Sequence, residues 1–140
     1  MKNLSFALLL WVLTVAGAFA QNLAGTKWKT IDDKTGKPRS IVELYEKDGK
    51  LYGKIIQGFD ADAASRVCTA CKDDRKGQKV VGMEIIRGLK KDGDKWEDGE
   101  ILDPDEGKTY DCKIWVEDGK LKVRGYIAFF FRTQTWEKAN

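Results

Sequence analysis

Cys68-Thr-Ala-Cys71 is the short motif in this chain whose spacing carries chemistry. Two cysteines so placed can close a disulfide, cycle as a redox couple, or supply half of a metal site. A redox couple ordinarily sits at a helix N-terminus that lowers one thiol pKa, and the Lys72-Asp-Asp-Arg-Lys-Gly77 that follows is poor helix sequence. A zinc site needs four ligands, which Cys112 and a carboxylate would have to complete. The preferred reading in an exported chain is a structural disulfide between Cys68 and Cys71, with no metal and no cofactor. Cys112 alternates with apolar residues and reads as a buried, inert thiol.

What is missing narrows the chemistry further. The sequence has no histidine, and its serines are Ser5, Ser40 and Ser65. That removes Ser-His and Cys-His couples, imidazole general bases and histidine-ligated zinc. The 22 acidic residues leave carboxylate catalysis open in principle, but such abundance makes any particular pair a weak signal. Asp103-Pro-Asp-Glu-Gly-Lys-Thr-Tyr110 lacks the spaced oxygen ligands of a calcium loop and carries turn chemistry throughout. No catalytic residue is assigned, and the chain reads as a non-enzyme. Tyr52, Trp115 and Tyr126, with Arg124 and Arg132, are the candidates to line a ligand cavity. The bland alternative for each aromatic is core or sheet packing, and for an arginine, stacking on a tryptophan.

The elements that must position these residues are strands. Three segments repeat one pattern, an alternating run, a turn containing Asp-Gly, and a returning run: Ser40 to Ile56 about Asp48-Gly49, Met83 to Leu102 about Asp92-Gly93, and Thr109 to Ile127 about Asp118-Gly119. In the third, Tyr110, Cys112, Ile114 and Val116 share one face, and so do Leu121, Val123, Gly125 and Ile127 on the return. Such period-two alternation belongs to an antiparallel sheet with one packed face. Adding strands near Trp28 to Ile31 and Arg132 to Glu137 gives about eight, a number that closes into a small all-β, antiparallel up-and-down barrel. A two-sheet sandwich is the structural competitor. Gly53 and Gly125, inside strands, are expected at bends or bulges. Gln57 to Lys79, which holds the CxxC, is the one long connection, and loops of that length tend to be functional or tied down.

Residues 1–20 have the form of a secretory signal: Lys2, an apolar run from Leu4 to Val15, and Ala18-Phe19-Ala20 before Gln21. The apolar stretch is too short to span a bilayer. The expectation is a single barrel domain over residues 21–140, periplasmic or secreted, with no transmembrane segment in the mature chain. A formal charge of +3, with acids and bases interleaved, disfavours a nucleic-acid partner.

A resemblance sharpens this picture. The blocks Gly25-Thr-Lys-Trp28, Ile31-Asp-Asp33, Ser40-Ile-Val-Glu43, Asp48-Gly-Lys-Leu-Tyr-Gly-Lys-Ile55, Cys68-Thr-Ala-Cys71, Ile85-Ile-Arg-Gly-Leu89, Gly99-Glu-Ile-Leu-Asp-Pro104, Gly107-Lys-Thr-Tyr110, Leu121-Lys-Val-Arg-Gly-Tyr126 and Arg132-Thr-Gln-Thr-Trp136 occur in order. They resemble the bacterial domain of unknown function 2147, a family of small exported proteins. The resemblance implies a lipocalin-like fold, in which Trp28 and Arg132 would form the structural pair that packs near the closed end. The function expected is binding of a small, partly apolar or amphipathic ligand. The alternative is an envelope-associated protein-interaction module with a filled barrel core.

Overall fold

The computed structural model describes residues 22–140; the signal assigned to residues 1–20 lies outside the described residues. Eight strands follow one another: β1 (Lys27–Ile31), β2 (Pro38–Lys47), β3 (Lys50–Gly58), β4 (Glu84–Asp92), β5 (Lys95–Asp103), β6 (Lys108–Glu117), β7 (Lys120–Ile127) and β8 (Phe130–Ala139). Each pairs with the next, and β8 returns to β1 through Lys27–Ala139, Trp28–Lys138 and Lys29–Glu137, all antiparallel, so the sheet closes into a barrel. The sandwich is thereby excluded.

The turns sort the two ends. Asp48-Gly49 and Asp118-Gly119 join β2 to β3 and β6 to β7, each with both residues at positive φ, 53° and 75° in one and 52° and 73° in the other. That geometry matches the right-handed strand twist, and glycine adopts it without a Cβ clash. The β4–β5 turn is Gly93-Asp94, one residue beyond the expected site, because Asp92 still pairs with Lys95. These three tight turns lie at one end of the barrel; the longer connections lie at the other, together with the two-residue β7–β8 turn Ala128-Phe129. Beneath the tight turns the interior is solid: Val42, Leu44, Leu51, Ile86, Leu89, Ile114 and Leu121 have no solvent exposure. Trp28, Trp96 and Cys112 are buried with them. Each fully buried aliphatic side chain contributes about 1.5–3 kcal/mol.

Gly53 is flanked by register shifts in the β3–β4 ladder, as expected of a strand glycine. Gly125 is not: its ladders to β6 and β7's other neighbour β8 run without a shift, and the missing side chain instead leaves room for Tyr110, whose Cβ would lie 3.3 Å from an added methyl.

The long connection covers residues 59–83, because β3 runs on to Gly58 and β4 starts at Glu84. Cys68 and Cys71 are joined by a disulfide and are almost completely buried. The Cys68 amide donates to the Gln78 carbonyl at 2.9 Å, and the Gly77 amide to the Cys68 carbonyl at 2.7 Å. A β-bridge between Val67 and Lys79 completes this small knot. The two cysteines are bonded to each other, as the structural reading expects, and the bond is shielded from solvent. Removing it with Cys68→Ser and Cys71→Ser together should cost about 2 kcal/mol by the loop-closure relation. The measurement is a thermal melt: the Tm should fall by several degrees, and an unchanged Tm would show that the knot is held without the cross-link.

Candidate functional site

Above the packed layer the barrel is hollow. A cavity of about 600 Å³ opens among the longer connections. Its walls are apolar, with Ile55, Val80, Ile85, Ile101, Leu102 and Val123 prominent, and Trp136 is the deepest β8 residue to reach it. Small-molecule sites occupy roughly 300–1,000 Å³ and combine apolar walls with a few placed polar groups.

The polar groups climb β8 and gather at the mouth. Inward parity on β8 falls on Trp136, Gln134, Arg132 and Phe130, because Trp136 pairs with the inward Leu121 and Arg132 with Gly125. The Trp136 indole donates to Gln134 Oε1 at 2.9 Å, and Gln134 Nε2 donates to Asp33 Oδ2 at 3.3 Å. Arg132 Nη2 donates to the same Asp33 oxygen. Hydrogen bonding between β1 and β8 stops at Lys29–Glu137, and beyond it this polar ladder ties β8 to the connection that follows β1.

Across the mouth, Asp105 in the β5–β6 turn accepts from two arginines, one per oxygen: Arg39 Nη1 at 2.7 Å and Arg66 Nη2 at 2.6 Å. Asp60 lies 3.6 Å from both guanidinium groups. The hydrogen bond to Asp105 raises the Arg39 pKa further above its ordinary value. Asp32, 3.9 Å from Arg39, is held below the usual carboxylate range by the backbone amides of Thr35 and Lys34. The mouth therefore presents fixed charges of both signs around an apolar shaft.

The 59–83 connection is clamped so that Asp60 and Arg66 stay in place. Arg75 is buried, chelates Asp73 through Nε and Nη2, and donates Nη1 to the Glu84 carbonyl at 2.8 Å. In return, Arg87 of β4 grips both oxygens of Asp74 at 2.9 Å. Gly107 approaches so closely that an added Cβ would overlap the Ala70 carbonyl, which seats the disulfide knot against the Asp105 turn.

Of the residues proposed from sequence to line a cavity, Arg132 does so. Tyr52, Trp115, Arg124 and Tyr126 stand on the outer face. Tyr52 falls between the inward Leu51 and Gly53 and stacks on Tyr45 at 5.8 Å. Arg124 lies over the Trp115 ring at 4.9 Å and the Phe131 ring at 4.4 Å, which is the stacking alternative. Tyr126 packs on Phe131 at 6.0 Å. The Trp28–Arg132 pair does not form. Trp28 is opposite Lys138, six residues along β8 from Arg132, a span of about 20 Å. Its indole donates to Thr26 Oγ1 at 2.8 Å instead.

Sequence reasoning missed Arg39, Arg66, Asp33 and Gln134. Gln134 shares parity with Arg132 and Trp136 and was open to detection. Arg39 was not, because the β1–β2 register shifts between Thr30 and Ile31 and breaks the alternation there.

An eight-stranded closed barrel with one packed and one hollow end is the architecture of the lipocalin-like calyx. The chain belongs to a bacterial family described as uncharacterized, DUF2147, whose model matches residues 26–138. It is similar in structure to protein HP1028 from the human pathogen Helicobacter pylori, described as belonging to the lipocalin family: TM-score 0.74 at 22% identity, over 85% of this chain and 84% of that one. No curated protein matches the sequence.

Two measurements follow from the titrating groups. The Arg75 hydrogen bonds hold Asp73 down at about 2, against an ordinary 3.8. The clasp is therefore fully formed above pH 3.8 and is lost as pH falls through about 2. Amide exchange, corrected for its intrinsic pH dependence, should show protection near Arg75 fading over that interval. Asp73→Asn should flatten the profile, and equal fading in this variant would assign it elsewhere. Burial pushes the Cys112 thiol up to about 12. Native protein at pH 8 should resist iodoacetamide at Cys112 and react once denaturant is added; rapid native labelling would contradict the packing.

Proposed function

We propose that this chain is an exported, non-enzymatic carrier of a small amphipathic molecule, with the apolar body in the shaft and the polar end among Arg39, Arg66 and Arg132. The hollow half of the barrel is the observation that carries the reading, because a filled core would have favoured the protein-interaction alternative. The walls select for apolar shape and have few hydrogen-bonding groups below Gln134 to reject one alkyl chain in favour of another. At the mouth, a ligand carboxylate or phosphate could replace Asp105 on an arginine fork, an exchange of one charge-assisted pair for another.

Export rests on the leader-like first twenty residues, and it places the protein in the periplasm or the medium. The absence of histidine throughout the sequence supports binding over catalysis. So does the engagement of Asp32, Asp33, Asp60 and Asp105 with arginines at the mouth, which leaves no unpaired carboxylate among these four.

Titration with a dansylated undecanoic acid tests the reading. Wild-type protein should enhance and blue-shift the probe emission. Ile101→Trp, which places an indole into the shaft, should weaken binding by about tenfold or more. No enhancement with wild type, or equal binding by the variant, would overturn the carrier reading.

A further inference from the structure

The β7–β8 hairpin ends in three consecutive phenylalanines beside the cavity mouth. Phe129 is 96% exposed, Phe130 79% and Phe131 60%. Ile127 and Phe59, also at this end, are exposed as well. Scattered apolar residues on a surface need no explanation, but a contiguous aromatic tip does. The chain also accepts backbone strain to build it. Ala128 sits at φ 51°, a left-handed region that strains a non-glycine residue.

We propose that this tip inserts into the interfacial layer of a phospholipid bilayer and so sets the cavity mouth against the membrane surface. The directions of the rings decide between a membrane and a protein groove. Phe130 pairs with Ile127 and has the inward parity of β8, whereas Phe131 pairs with Tyr126 and lies on the outer face with Arg124. Phe129 occupies the apex. Rings leaving a hairpin on opposite sides and at its point cannot all be met by one partner face; a fluid apolar layer meets them together.

The base of the tip fits the same occupant. The Arg124 guanidinium lies over Phe131, and Tyr126 braces the ring from its other neighbour, so the tip is stiffened before contact. Arg132, with a side chain 67% exposed, stands one residue further down β8. Two guanidinium groups just below the buried rings lie at headgroup depth, where lipid phosphates accept their hydrogen bonds. The rest of the mouth mixes acids and bases, so attachment is driven by the rings and does not require anionic lipid.

Sedimentation with vesicles is the direct test, using protein recovered after export and vesicles of phosphatidylcholine alone or of phosphatidylethanolamine with phosphatidylglycerol. Wild type should pellet with both. Phe129→Ser should lower the bound fraction several-fold, and because that side chain packs against nothing in the barrel, its fold should be intact by circular dichroism. Replacing Phe129, Phe130 and Phe131 together with serine should abolish vesicle binding, and Phe129→Ser, whose ring does not line the cavity, should leave the dansyl titration as in wild type. Ile101→Trp should pellet like wild type, which separates failure of this proposal from failure of the carrier reading. Wild type remaining in the supernatant, or serine variants that pellet equally, would overturn it. So would a dimer in solution that dissolves in the triple variant with no vesicle binding, which would assign the tip to a second copy.

Discussion

Hydrogen-bonding β8 back to β1 leaves the sheet without an edge, and it gives all eight strands one shared interior that half of their residues must fill. Whether that interior is solid or hollow then depends on side-chain size at each level. At the level of the tight turns, leucine and isoleucine arrive from β2, β3, β4, β6 and β7 together and leave no room. Nearer the longer connections, inward positions pass to Thr30, Ser40, Gly125 and Gln134, which are too small or too polar to meet in the middle. The cavity is the residue of that exchange.

The same constraint explains why part of the fold was readable from the chain. Asp48-Gly49 and Asp118-Gly119 announce their hairpins because few dipeptides tolerate two positive φ values in succession. Alternation on β6 and β7 correctly grouped Cys112 with Ile114, and Leu121 with Val123. Parity, however, says which residues share a face and does not say which face is inside. Trp115 and Tyr126 look as suited to an interior as Ile114 does, and the decision comes from closure, which puts the more uniformly aliphatic set inward.

Charged residues were the harder case. Arg39 is the residue left unpaired at a register shift, and Arg66 sits in a connection without periodicity, so neither position could be assigned from its neighbours. Their convergence on Asp105 depends on where the 59–83 segment is laid down, and that is decided by contacts far apart in sequence. The burial of Arg75, the grip of Arg87 on Asp74 and the close approach of Gly107 to Ala70 fix the segment. The CxxC was legible as a cross-link; that it braces one wall of the cavity mouth was not.

The segregation of turns has an evolutionary reading. Every two-residue turn under the packed end is locked to the strand twist, so an insertion there would disturb the core directly. The opposite end carries its loops over a space that nothing fills, and a change in loop length or composition alters the mouth while leaving the aliphatic layer untouched. Selection can therefore reshape the mouth with little loss of stability. A family built this way can hold its barrel constant and diversify by its rim.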